Sequence, residues 1–165
     1  MTPRDSQRRA ELLARFAATP ARAAAAAAAA EGYPVRSGEW TPGEIVRHLI
    51  AVDQEVWGPR FRRLAEGGSP HWAWVEPRFD DGPADRPMAD LVDTFSSGRR
   101  ALVDHVRSLD PEGWARSGTH ATMGVLDVSA MLRETVAHDE EHLASIERMA
   151  ERGGPAGIGS RPEPA

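Results

Sequence analysis

The chain has 165 residues, with 25 acidic and 20 basic side chains, a formal charge of −5 and no cysteine. This length suits one domain that buries roughly two thirds of its unfolded surface. The missing cysteines exclude disulfides, thiolate metal ligands and a cysteine nucleophile. Every basic residue is arginine, scattered among acids rather than gathered into the stripe that a nucleic-acid backbone requires. No stretch approaches the roughly 20 apolar residues of a membrane span. Arg4, Arg8 and Arg9 are followed by polar residues rather than an apolar signal core, so the expected location is cytoplasmic.

In chain order, Asp5 to Ala18 reads as a helix with Leu12, Leu13 and Phe16 on its apolar side. Thr19-Pro20 is expected to interrupt it, because proline fits the first turn of a helix better than its interior. A second piece would then run through Ala23–Ala30 to Glu31, its small side chains allowing close approach to a neighbour. Gly32 to Trp40 reads as a connection. Thr41-Pro42-Gly43-Glu44 combines a capping hydroxyl, a proline at the first helical position and a Glu three after the cap. Ile45, Leu49, Val52 and Val56 then recur at helical spacing, and His48 shares their inward stripe. Gly58-Pro59 is expected to bend or weaken this helix.

Ser69 to Arg86 is irregular and rich in Pro and Gly, yet it carries His71, Trp72, Trp74 and Phe79, so it reads as a flap over one end of a bundle. Pro87 opens a helix with Leu91, Val92, Phe95, Leu102 and Val106 as its stripe, ending near Asp110-Pro111. After a connection holding Gly118, His120 and Gly124, Asp127 caps a long last helix. That helix carries Val128, Met131, Thr135, His138, His142, Ile146 and Met149 at alternating steps of three and four. No β pattern stands out. The fold class expected is therefore all-α, a four-helix bundle over residues 5–152, with a disordered tail over 153–165.

Residues four apart share a helical face, with Cβ atoms roughly 5–6 Å apart, so His138 and His142 can aim at one point. His48, inward on another helix, supplies a third imidazole. A buried imidazole needs a partner for each polar nitrogen, and three on one core favour a shared ion over three separately satisfied core histidines. Imidazoles without thiolates suit Zn, Ni, Cu or Fe(II). Three protein ligands leave a position open for a water whose pKa falls toward about 7, or for a thiol bound as thiolate. Glu134, four before His138, and Glu55, seven after His48, are candidate carboxylates behind these ligands. The run His138-Asp139-Glu140-Glu141-His142 differs from the protease pattern His-Glu-x-x-His at Asp139, which is one methylene too short to serve as base. The roles of His71, His105 and His120 stay open.

Trp40-Thr41-Pro42-Gly43-Glu44-Ile45-Val46-Arg47-His48-Leu49, with Val136-Ala137-His138-Asp139-Glu140-Glu141-His142-Leu143, resembles the DinB/YfiT-like superfamily. The resemblance covers roughly Leu12 to Met149. It implies an up-down-down-up bundle with a long crossover between the second and third helices, a homodimer, and a divalent metal, Zn or Ni, on His48, His138 and His142. It also implies chemistry with low-molecular-weight thiols such as mycothiol, in an S-transferase or isomerase acting on a small-molecule electrophile. Trp72, Trp74 and Phe79 would line the mouth of such a site, and Arg78 could hold an anionic substrate. A metal-dependent hydrolase using water and a non-catalytic metal- or ligand-binding stress protein are the alternatives. No nucleic-acid or membrane partner is expected.

Overall fold

A computed structural model describes residues 3–32, 37–77, 79 and 82–153. Helix α1 spans Pro3–Ala29 without the expected break, with Pro20 inside it. The reason lies elsewhere in the chain. Proline at position 20 cannot donate to the carbonyl of residue 16, and the Phe16 carbonyl instead accepts from Arg99 Nη1 at 3.0 Å. Downstream of Pro20, Ala23, Ala26, Ala27 and Ala30 are buried, so the alanine run does provide a small-residue packing face.

Helix α2, Pro42–Ala51, begins with the expected capping box: Glu44 N–H donates to Thr41 Oγ1 at 3.0 Å, and Thr41 N–H donates to Glu44 Oε2 at 2.7 Å. It runs through a π-helical segment, Val52–Trp57, into α3, Gly58–Ala65, so the helix continues past Gly58-Pro59 with a change of hydrogen-bonding pattern at that point. The Gly58 N–H reaches back five residues to the Asp53 carbonyl. A Cβ at position 58 would lie 2.6 Å from that oxygen, so the wide turn requires glycine. Pro59 follows directly and gives no N–H to the preceding turn of this continuous run.

Helix α4 is Met88–Arg107, and the short α5, Pro111–Ala115, is capped by Asp110, whose Oδ1 accepts from Gly113 N–H at 2.7 Å. Helix α6, Val128–Gly153, starts at the expected cap, with Asp127 Oδ1 accepting from Ala130 N–H at 2.6 Å. Gly153 therefore belongs to α6, and the rest of the expected tail, 154–165, lies outside the described residues.

The bundle also carries a small sheet that the sequence did not announce. Strand β1, His71–Trp72, pairs parallel to β2, Ser117–His120, which pairs antiparallel to β3, Gly124–Asp127. These strands are too short for alternation to be read. The expected flap is thus partly strand, anchored by Thr119 N–H to the Pro70 carbonyl and Ala121 N–H to the Trp72 carbonyl, both 2.9 Å. Gly118 lets the Trp72 ring cross the strand, since a Cβ there would lie 2.5 Å from it.

The four long helical segments run up, down, down and up. The C-terminal part of α1, the N-terminal parts of α2 and α4, and the C-terminal part of α6 share one apolar cluster around Leu49, Phe95 and Ile146. A second cluster, around Phe16, Phe61, Val106 and Leu132, fills the other end. Between them lies an ionic layer. Arg99 is 1% exposed, as is Asp139, and Asp53 is 5% exposed. Arg99 is bidentate on Asp53, with Nε to Oδ2 at 2.8 Å and Nη2 to Oδ1 at 3.0 Å, and it also donates to Asp139 through both Nη atoms. Thr19 Oγ1 donates to Asp139 Oδ2 at 3.0 Å. Phe16 and Phe95 flank the guanidinium at 4.0 and 4.8 Å from their ring centroids. One cation thus ties α1, α4, α6 and the π segment together.

Candidate metal centre

Each of the three histidines is placed by a local feature already described. The capping box sets the start of α2, two turns before His48, and the Asp127 cap fixes the phase of α6, which carries His138 and His142 on one face. Their ring centroids lie 4.5 Å apart, with His48 at 5.3 Å from His138 and 4.8 Å from His142. The sequence expected these three side chains to converge, and they do.

One nitrogen from each ring lies within 4.8 Å of the others, and His48 Nε2 stands 3.4 Å from His138 Nε2. A tetrahedral ion at roughly 2.0–2.1 Å from each nitrogen needs its ligands roughly 3.4 Å apart. One pair already has that spacing, and the remaining separations, within 4.8 Å, are wider. The charge state also fits. Burial lowers all three pKa values, with the neighbouring imidazoles adding to the effect at His48, which is brought down to about 4. Neutral imidazoles present the lone pairs that an ion takes. The nitrogen of His138 that faces the cluster is Nε2, and its Nδ1 is buried without a hydrogen-bond partner among the described residues, a need that an ion on Nε2 would not meet. The residues present can hold a divalent metal.

Aromatic rings cover the cluster. Trp40 lies nearly parallel to His142, 5.9 Å away with 4° between planes, and its centroid is 5.0 Å from that of His48. Phe79 meets Trp40 edge-on at 5.1 Å and sits 6.3 Å from His48. Trp40 opens the motif that carries the family resemblance, but its place over the histidines was not deduced from the sequence.

Two openings flank the histidines. One, of about 220 Å³, is lined by His48, His138, Val52, Val56, Trp57, Arg60, Met123, Glu134 and the chain from Trp74 to Pro77. The other, of about 360 Å³, is lined by His142, Trp40, Glu39, Ser145, Arg148 and Arg152. Trp74 and Glu134 therefore border the first, whereas Trp72 packs beneath it, 5.9 Å from Arg60, and Glu55 does not line it. Arg78 lies outside the described residues. His120 is buried beside the turn that joins β2 to β3, and its Nδ1 accepts from Thr122 N–H at 3.2 Å and Met123 N–H at 3.3 Å. His71 is exposed in β1. Asp139 is held in the ionic layer and is not aimed at the cluster, which removes the protease-like role on geometry as well as length.

Fold and site together define a four-helix-bundle protein with a cluster of three histidines between its helices. The sequence matches the family model of the DinB superfamily over residues 4–146, and the chain belongs to that superfamily. No curated protein matches it. Among solved structures it resembles YfiT from Bacillus subtilis, "a probable metal-dependent hydrolase with an unusual four-helix bundle topology", at 16% identity and a TM-score of 0.69. The match covers 92% of this chain and 89% of that one. Among the described residues, no helix is long and apolar enough to cross a membrane.

Proposed function

We propose that the protein is a metal-dependent enzyme that joins a low-molecular-weight thiol to a small electrophile, as an S-transferase or a thiol-dependent isomerase. The observation that supports this reading is the pair of openings on either side of one histidine cluster, which suits two reactants better than one. The opening beside His142 has mixed walls, with Ile45 and Met149 beside polar groups: Ser145 Oγ accepts from Arg148 Nη2 at 2.9 Å, and Arg152 pairs with Glu39 at 3.2 Å. It suits a hydrophilic thiol such as mycothiol. The opening beside His48 and His138 is mostly apolar and suits the electrophile.

His48, His138 and His142 would hold the ion, which we take as zinc or nickel, although imidazole ligands suit copper and iron(II) as well. When bound, the ion supplies Lewis acidity that lowers the pKa of a thiol or water at its open position. Trp40 and Phe79 limit water at the cluster, and the openings orient the reactants. In the transferase reaction a bond forms between the thiol sulfur and the electrophilic carbon. The leaving group departs with its bonding pair, and the thiol proton passes to solvent.

A second reading, hydrolysis by activated water, uses the same histidines and is favoured by the description given to YfiT. The two separate in one experiment: the metal-loaded protein is assayed on an electrophile panel with and without added thiol. Turnover that requires thiol and disappears in His138→Ala is expected. Thiol-independent release of the same leaving group points to the hydrolase, and no turnover in either arm with metal bound overturns both in favour of a binding protein.

A further inference from the structure

Two guanidiniums are nearly inaccessible to solvent, and they are treated differently. Arg99 has two carboxylates. Arg60, 5% exposed in α3, has none among the described residues. Among the described residues its hydrogen bond runs from Nη2 to the Ala73 carbonyl at 3.1 Å, and its Cζ lies 5.2 Å from the Trp57 ring centroid and 5.9 Å from that of Trp72. Aromatic faces and one carbonyl leave most of the five donors of a guanidinium unused. Burial lowers the Arg60 pKa with no carboxylate among the described residues to offset it, a cost that an anion bound beside it would reduce.

The surroundings show where the anion would come from. Arg60 lines the 220 Å³ cavity that also reaches His48 and His138. Trp57 lines it too, and its indole N–H is buried without a partner among the described residues. Burial and the nearby charge of Arg60 hold the His120 ring below the usual pKa, so it stands beside Arg60 as a neutral group. Val52, Val56, Val75, Pro77 and Met123 give the cavity apolar walls. Its volume is below the range of roughly 300–1,000 Å³ usual for drug-sized ligands, so the occupant is small. Two exposed carboxylates also border it: Glu76, which accepts from Trp74 Nε1 at 3.1 Å, and Glu134. They disfavour any ligand charged along its whole length.

The geometry points to a binding site for a small apolar monocarboxylate, with its carboxylate on Arg60 and its apolar body along Val52, Val56 and Met123 toward His48 and His138. Only the placing of the ligand's far end at the histidines as a reacting group rests on the proposed enzymatic reading. The acid-binding site itself needs no metal.

The test therefore uses the full chain stripped of metal by chelator. 3-Phenylpropanoate, its neutral analogue 3-phenylpropanamide and inorganic phosphate are titrated by calorimetry, with the Trp57 indole N–H followed by NMR. A charge-assisted contact of this kind predicts that the acid binds about tenfold or more tighter than the amide. Phosphate, lacking an apolar body, should bind weakly, and the Trp57 signal should move with the acid. Arg60→Gln should erase the preference for acid over amide, and Arg60→Lys should keep part of it. Equal affinity for acid and amide, a still indole signal, or unchanged acid binding in folded Arg60→Gln overturns the proposal. If Arg60→Gln does not fold, the comparison of the three ligands on the parent chain decides. Acid binding without metal, alongside failed turnover, would sink the enzymatic reading and leave this site standing.

Discussion

The ionic layer and the histidine cluster share α6 and the helical run from α2 into the π segment, yet they are built by opposite rules. Arg99, Asp53 and Asp139 are almost wholly buried, and the guanidinium donates to both carboxylates and to a backbone carbonyl. His48, His138 and His142 are partly buried, and His138 Nδ1 has no acceptor or donor among the described residues. A closed set of charges fixes how helices meet. Three converging neutral imidazoles leave that task to the charges and offer lone pairs that can hold an ion. Asp139 and His138, adjacent in the chain, fall on opposite sides of that division, which explains why the motif holds Asp where a protease would hold Glu.

The largest effect that can break this contrast is Arg99→Met. It strands two buried carboxylates, and losing one side of such a network typically costs about 3–5 kcal/mol, readable by denaturant unfolding. A loss below about 1 kcal/mol would mean that the layer does not tie the helices together.

Acid should affect the two regions in opposite senses. His48 has a folded pKa of about 4 against an ordinary 6.5, so the unfolded chain binds its proton more readily. Its contribution to stability is complete above about 6.5 and is lost as pH falls toward 4. Burial pushes Asp53 up to about 6 from 3.8 despite the pull of Arg99, so the folded chain binds that proton more tightly. Its ionisation removes stability as pH rises from about 4 to 6. In metal-free protein, His48→Ala should flatten the loss of stability on acidification. Asp53→Asn should steepen it. Unfolding curves collected between pH 4 and 7 check both slopes, and identical slopes in parent and variants would contradict the assignment.

The smallest expected effect is at the entrance to α2. Thr41→Ala removes one half of the capping box and should cost about 1 kcal/mol, with metal affinity little changed because the buried face of α2, Ile45, Leu49 and Ile50, still holds the helix that the cap starts. A large fall in affinity would show that core packing does not hold His48 in place without the cap.

The histidine cluster was legible because its signal is local: a four-residue spacing on one helix and one inward ring on another. The ionic layer carried a comparable signal. Arg99 falls four after Phe95 and three before Leu102, Asp53 four after Leu49 and three before Val56, and Asp139 three after Val136 and four before Leu143. Charges at core spacing on three helices imply mutual neutralisation, but which charge meets which depends on helix packing. The unbroken passage through Pro20 was not legible for the same reason, since the donor that replaces its N–H comes from 83 residues away. Arg60 was hidden among twenty arginines. Its isolation depends on the sheet that brings Ala73 beside it, and that sheet is built from strands of two to four residues.

The most direct test of a metal centre is elemental analysis of protein purified without an affinity tag, beside a His138→Ala variant of equal metal-free stability. The account predicts about one equivalent of a divalent ion in the parent and none in the variant, a larger effect than the roughly 10–100-fold affinity loss usual for an outer partner. No ion in either, with no rise in melting temperature on adding zinc or nickel, would contradict it and return the three histidines to the packing of the bundle.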